Sequence, residues 1–138
     1  MADTFQLELV SPERLLLSRQ VEMAVIPSAE GEMGVLPGHA PMIVALRGGV
    51  ISVRENGAES ERLFVAGGFA EVSPDRCAVL ADEATPVANV SRAEAERRLA
   101  AAEAAFDEVT ATDPAERREM AMGRVQSARA MRDAAGAA

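Results

Sequence analysis

A chain of 138 residues, 49% hydrophobic and 26% charged, is long enough for one good core or for one small domain with an appendage, and too short for two independent enzymes. Its net charge is −8, arginine supplies all 14 basic residues, and Trp and Tyr are missing. Neither a lysine-rich surface for phosphate backbones nor stacking platforms for bases remain, which argues against a nucleic-acid partner. The single cysteine, Cys77, leaves no internal disulfide and no Cys-based zinc cage, and fits a reducing compartment.

The start Met1-Ala2-Asp3-Thr4 carries neither a basic n-region nor an Arg-rich leader, and no run of about 18 apolar residues follows. The expectation is a protein without direct membrane insertion that works where it is made. Up to about Ala84 the sequence reads as short β-type segments. Phe5, Leu7 and Leu9 alternate with Gln6 and Glu8; Val21, Met23 and Val25 alternate with Glu22 and Ala24. That period of two predicts half-buried strands.

Val50 to Glu55 and Ser60 to Ala66 flank Asn56-Gly57, a dipeptide suited to the φ > 0 conformations of a tight hairpin, and Ser73-Pro74-Asp75 marks another turn. Turns at this spacing predict an antiparallel β-sandwich or flattened barrel of roughly nine or ten short strands. Cys77 alternates with Val79 in one of them and reads as a small core hydrophobe. Gly48-Gly49 and Gly67-Gly68 belong to no phosphate-binding pattern and read as turns or close backbone approaches.

From Ser91 the composition shifts to Ala, Glu and Arg. Ser91-Arg92-Ala93-Glu94 has the form of a capping box, and Ala95, Leu99, Ala102, Phe106 and Val109 then fall on one helical stripe. Asp113-Pro114-Ala115-Glu116 predicts a second helix by its cap, its proline at the first helical position and its acid near the dipole's positive end. The short link between them predicts an antiparallel hairpin. The fold class expected is therefore α+β: a sandwich over 1–88 followed by a helix-turn-helix over 89–138.

Sixteen of the residues from Ser91 to Ala138 are alanine, which favours helix but buries little surface. Each large apolar side chain that is buried adds roughly 1.5–3 kcal/mol before ordering entropy is subtracted, and there are few. The hairpin should form readily yet dock weakly, as a unit able to exchange between docked and extended forms. A fixed helical appendage is the other reading of this composition.

Little suggests catalysis. His39, the only histidine, has no evident nucleophile and orienting acid beside it in Pro37-Gly38-His39-Ala40-Pro41. Glu30 and Glu32 lack further ligands at a recognisable spacing, so no metal and no cofactor is expected. Arg117, Arg118, Arg124, Arg129 and Arg132 punctuate the second helix, as a solvated face or as a match for an acidic partner surface.

Glu30-Gly31-Glu32-Met33-Gly34-Val35-Leu36-Pro37-Gly38-His39-Ala40-Pro41-Met42 closely resembles the signature loop of the epsilon subunits of rotary F-type ATP synthases. Phe64-Val65-Ala66-Gly67-Gly68-Phe69-Ala70-Glu71-Val72, followed by Val79-Leu80-Ala81-Asp82, is similar to that family's next most recognisable stretch. The resemblance runs from about Phe5 through the hairpin. It implies a non-catalytic subunit whose sandwich binds the gamma shaft and the c-ring, so that proton-driven ring rotation turns the shaft.

By position, Glu32, Pro37, Gly38 and Pro41 would face the c-ring, and Ser11, His39 and Val44 the gamma subunit. The resemblance also implies that the extended hairpin reaches the alpha/beta catalytic head, with Arg117, Arg118, Arg124 and Arg129 toward it, and slows ATP hydrolysis. Some family members bind ATP at the start of the first helix through an Ile/Leu-Asp-x-x-Arg-Ala pattern. Here the stretch is Val90-Ser91-Arg92-Ala93-Glu94-Ala95; Ser91 replaces the acid and Glu94 the arginine, so weak or absent ATP binding is expected. The location implied is the cytoplasmic face of a bacterial inner membrane. The alternatives are a ligand-binding sandwich with a helical dimerisation tail, and an enzyme built around His39.

Overall fold

The computed structural model describes residues 3–137; Met1, Ala2 and Ala138, which the sequence reading counts into the sandwich and hairpin, lie outside them. Ten strands come first: β1 (Phe5–Val10), β2 (Leu15–Val21), β3 (Met23–Ser28), β4 (Gly31–Val35), β5 (Met42–Ala45), β6 (Gly48–Glu55), β7 (Ala58–Ala66), β8 (Gly68–Val72), β9 (Arg76–Ala81) and β10 (Ala84–Pro86). A 3-10 turn (Val87–Asn89) then leads to α1 (Arg92–Asp107) and α2 (Ala115–Ala137). The strands form two five-stranded sheets, ordered β2-β1-β9-β8-β5 and β10-β7-β6-β3-β4. The helices pair with each other, and α2 lies on β6 and β7.

The alternation of Phe5, Leu7 and Leu9 works as expected: all three are buried, beside Cys77, Val79, Ala70 and Val72 of the same sheet and Ala24, Ile26, Ile51, Val53, Leu63 and Val65 of the other. Residues two apart share a face, so this interdigitated inner layer is the core. Asn56 and Gly57 both take positive φ, 55° and 77°, and Glu55 pairs with Ala58 across them. This is the tight turn whose twist matches its strands.

Two expectations need correction. The Val21-Met23-Val25 stripe does not share a buried face. The chain crosses from one sheet to the other at Glu22, whose N–H donates to the Arg54 carbonyl, and the pleat changes phase there. Ala24 and Ile26 point into the core, while Met23 and Val25 are only half-buried. The sheets are also not wholly antiparallel: among the described residues, seven strand pairings are antiparallel and one, β1 with β9, is parallel. A parallel pair needs a crossover, which strands β2 to β8 together supply.

Three consecutive residues of β7, Leu63, Phe64 and Val65, are all buried. A strand covered on one face would alternate; here Leu63 and Val65 enter the sandwich core while Phe64 packs beneath the helices against Ala95 and Met131. Leu99, Ala102, Val125 and Ala128 close the contact between the helices, with Phe106 at its margin.

The start of α1 realises half of the capping box. Ser91 Oγ accepts the Glu94 N–H at 3.2 Å, whereas the Glu94 carboxylate turns to Arg97 and Arg98. Those hydrogen bonds, Arg97's first, hold the Glu94 carboxyl below its usual range. Before α2, the Asp113 carboxylate reaches back to accept the Thr110 N–H at 2.8 Å, and that bond with the charge of Arg117 also lowers its pKa. Asp113 thus closes the link between the helices.

Cys77 is fully buried, and desolvation of the thiolate raises its pKa from 9.0 to about 11. With no Lys and no Tyr in the chain, Cys77 is the side chain left to titrate in that window. Because the folded pKa is the higher one, the native state holds the proton longer, and stability falls as pH rises from 9 toward 11, by roughly 3 kcal/mol in all. Urea midpoints measured across pH 8–11 should show this decline, and Cys77→Ala should remove it.

Candidate functional site

The helices cover the outer face of the β10-β7-β6-β3-β4 sheet. The outer face of the other sheet carries apolar side chains that none of the described residues covers. Register places Leu15 opposite Val10, Val10 opposite Leu80, Leu80 opposite Phe69 and Phe69 opposite Ala45, a row that crosses all five strands. Leu15 is 56% exposed, Phe69 47% and Leu80 41%. Two residues along β5, Ile43 faces the same way opposite Glu71 and is 70% exposed. The rest of that face is polar at β1 and β2: Gln6 bonds to Ser18 and Gln20, and Arg76 pairs with Glu8 at 2.6 Å. An uncovered apolar patch with a polar margin is the surface a protein partner covers.

The residues expected to face the shaft are only partly gathered here. Ser11 follows Val10 at the end of the row, in the turn where its N–H and carbonyl exchange bonds with Arg14. Val44 lies opposite Ala70 and packs against the core; the exposed side chain is that of its neighbour Ile43. His39 lies at the other end of the sandwich, half-buried, with Nδ1 2.8 Å from the Ala40 carbonyl oxygen. The hint available in sequence was β5's alternation, which the two prolines of the preceding loop obscure.

Pro37, Gly38 and Pro41 share His39's loop, and it is tied down: Gly38 takes φ 85°, and its N–H donates to the Pro74 carbonyl at 2.7 Å. This joins the loop to the Ser73-Pro74-Asp75 turn as one rim. Glu32 is not part of it. It stands in β4 opposite Pro27, at the end where the Ala29 N–H meets the Ala45 carbonyl, so the length of β4 separates it from Gly38.

Between the hairpin and the sandwich lie two clefts. The larger, about 680 Å³, is lined by Arg47, Arg98 and Arg124 with Asp82 and Phe64. Arg98 is already engaged by Glu83 and Glu94. The smaller, about 490 Å³, has Glu32, Arg47 and Arg62 facing Arg129 and Asp133 of α2. At 3.6 residues per turn, Arg117 and Arg124 share one stripe of α2, and Arg118 and Arg129 another about a third of a turn away. The four exposed arginines therefore do not form a single face; Arg117 pairs with Asp113 at 3.5 Å. Among the described residues, no group of three or more His, Cys, Asp or Glu side chains is placed to hold a metal ion, and no helix is long and apolar enough to cross a membrane.

The strands and helices define a two-sheet β-sandwich with an appended helical hairpin. Residues 4–87 match the family model described as ATP synthase, Delta/Epsilon chain, beta-sandwich domain. The ATP synthase epsilon chain of Granulibacter bethesdensis is 60% identical over 135 residues, 98% of each chain, and that of Rhodospirillum rubrum is 50% identical over 124 residues, 90% of this chain and 91% of the relative. The chain belongs to the ATP synthase epsilon chain family. The same fold recurs in a chain of the Euglena gracilis mitochondrial ATP synthase structure (OSCP/F1/c-ring, rotational state 1), with TM-score 0.74, 23% identity and coverage of 95% of this chain and 81% of that one. It recurs too in the Tetrahymena thermophila central stalk and c-ring structure, with TM-score 0.71, 14% identity and coverage of 97% and 98%.

Proposed function

We propose that this protein is a non-catalytic central-stalk subunit of a proton-translocating F-type ATP synthase at the cytoplasmic face of a bacterial inner membrane. The observation that carries the reading is the uncovered row Leu15, Val10, Leu80, Phe69 on the β2-β1-β9-β8-β5 sheet, with Ile43 beside it. In this reading the gamma subunit covers that row, with Ser11 at its margin. The proline-punctuated rim of Pro37, Gly38, His39 and Pro41, tied to Pro74, meets gamma and the polar loops of the c-ring, and Glu32 supplies an acid to the ring. Restricted φ angles and the Gly38 bond mean that the rim loses little freedom on binding. Ring rotation is thereby passed to the shaft.

Replacing Ile43 and Leu80 together by Asp puts two charges where a desolvated contact forms. Copurification of gamma with the chain is expected to fall at least tenfold while the isolated double variant keeps its fold by circular dichroism, since both side chains point to solvent. Undiminished capture of gamma by the folded variant would defeat the reading.

The units 1–88 and 89–138 divide the work: the sandwich couples, and the hairpin regulates by leaving its docked position and reaching the alpha/beta head. All four arginines are exposed in the docked hairpin, where Arg124 lines the larger cleft and Arg129 the smaller, and extension of the hairpin carries both stripes to the acidic surface of the head. Neutralising Arg117, Arg118, Arg124 and Arg129 should raise ATP hydrolysis by the assembled complex several-fold. A rate equal to that of the unmodified complex would count against regulation by this route.

ATP binding by the isolated subunit is expected to be weak or absent. Ser91 serves as the α1 cap, Glu94 places a carboxylate where a phosphate would need a cation, and Arg98 is held between two carboxylates. Calorimetric titration should give no heat at micromolar ATP; a micromolar dissociation constant would contradict this.

A further inference from the structure

We propose that Gln126 and Gly48 form the lock that holds the hairpin on the sandwich, and that the pair sets how often the hairpin leaves it; the second clause rests on the docked-to-extended exchange proposed above. The Gln126 carboxamide meets both backbone groups of one residue. Its Oε1 accepts the Gly48 N–H at 3.2 Å, and its Nε2 donates to the Gly48 carbonyl at 2.8 Å.

The sheet explains why these groups are available. β3 pairs with β6 from Met23 opposite Arg54 to Val25 opposite Ser52; beyond that the register slips, with the Arg47 N–H donating to the Pro27 carbonyl and Ser28 bridging Leu46, so that β3 passes Gly48 by. Gly48, at the start of β6, pairs on its other side with Ala66 of β7. It is buried under α2, where unpaired backbone groups would be costly. The Gln126 amide takes the place of the missing strand. When α2 lifts away, water reaches Gly48 and replaces both bonds, so the lock opens without leaving an unsatisfied group in the sandwich.

The glycine is a steric requirement of docking. A Cβ at position 48 would lie 2.5 Å from Cα and Oγ of Ser127 and 2.7 Å from its Cβ, and the backbone of a helix cannot yield to that. Gly48 is not among the positive-φ residues, so the backbone of the strand accepts alanine, and the three atoms nearest the added Cβ all belong to Ser127 of the docked helix. The apolar part of the contact is small, chiefly Phe64 against Ala95 and Met131, which leaves these polar and steric terms able to tip the balance.

Hydrogen exchange on the full chain tests this, with β1 and β9 amides as internal reference. Gln126→Leu removes both bonds and Gly48→Ala removes the seat. Each is expected to speed exchange of the α2 amides about tenfold or more and to leave β1 and β9 unchanged. Exchange of α2 within twofold of the parent in both variants would overturn the lock. Acceleration spread equally over β1, β9 and α2 in both would overturn it too, by assigning the pair to the stability of the whole fold. If α2 in the parent chain is as protected as β1 and β9, the exchange reading of the hairpin fails, while the ratio of variant to parent still decides whether Gln126 and Gly48 hold it.

Discussion

A two-sheet sandwich satisfies its inner faces by packing them together, and what becomes of its two outer faces then governs the molecule. One is closed from within the chain: Phe64 points outward from β7 and is buried by Ala95 and Met131. The other presents Phe69, Leu80 and Leu15 to solvent. Folding therefore leaves one outer apolar surface exposed and the other packed beneath the pair of helices. This asymmetry connects the strand pattern to the roles proposed for the two parts.

The closed face is held economically. Against the outward Phe64 the helices place Ala95 and Met131, with Ala130 beside them, while Val125 and Ala128 serve the contact with α1. Small side chains permit close approach and fill little volume, so the hydrophobic contribution is modest and individual hydrogen bonds matter more than they would in a leucine-rich interface. The sandwich core, built from Phe5, Leu7, Leu9, Ile26, Ile51 and their neighbours, has no such dependence.

What could be read from sequence follows from the range of the interactions involved. Local determinants were legible: the Asn56-Gly57 turn, the Ser91 cap and the alternation of β1 each act within a few residues. Burial of Leu99 and Ala102 followed from helical periodicity in the same way. The phase of Val21, Met23 and Val25 was not legible, because it depends on a sheet crossing at Glu22 that is fixed by a bond to Arg54. The parallel pairing of β1 with β9 is likewise invisible to any local pattern. At the candidate site, the resemblance pointed to the loop around His39, which the structure ties to the Pro74 turn through Gly38. Of the residues grouped by position, Glu32 stands the length of β4 from that rim, and Val44 packs toward the core beside exposed Ile43. The role of Gly48 had only a generic signal, a glycine pair, since its partner Ser127 is far along the chain.

Carbene footprinting of the chain, free and assembled in its ATP synthase, tests the central claim most directly by reporting which outer face is covered. The account predicts that labelling at Leu15, Ile43, Phe69 and Leu80 drops several-fold on assembly. Equal labelling of these four side chains in the free and assembled states would contradict it.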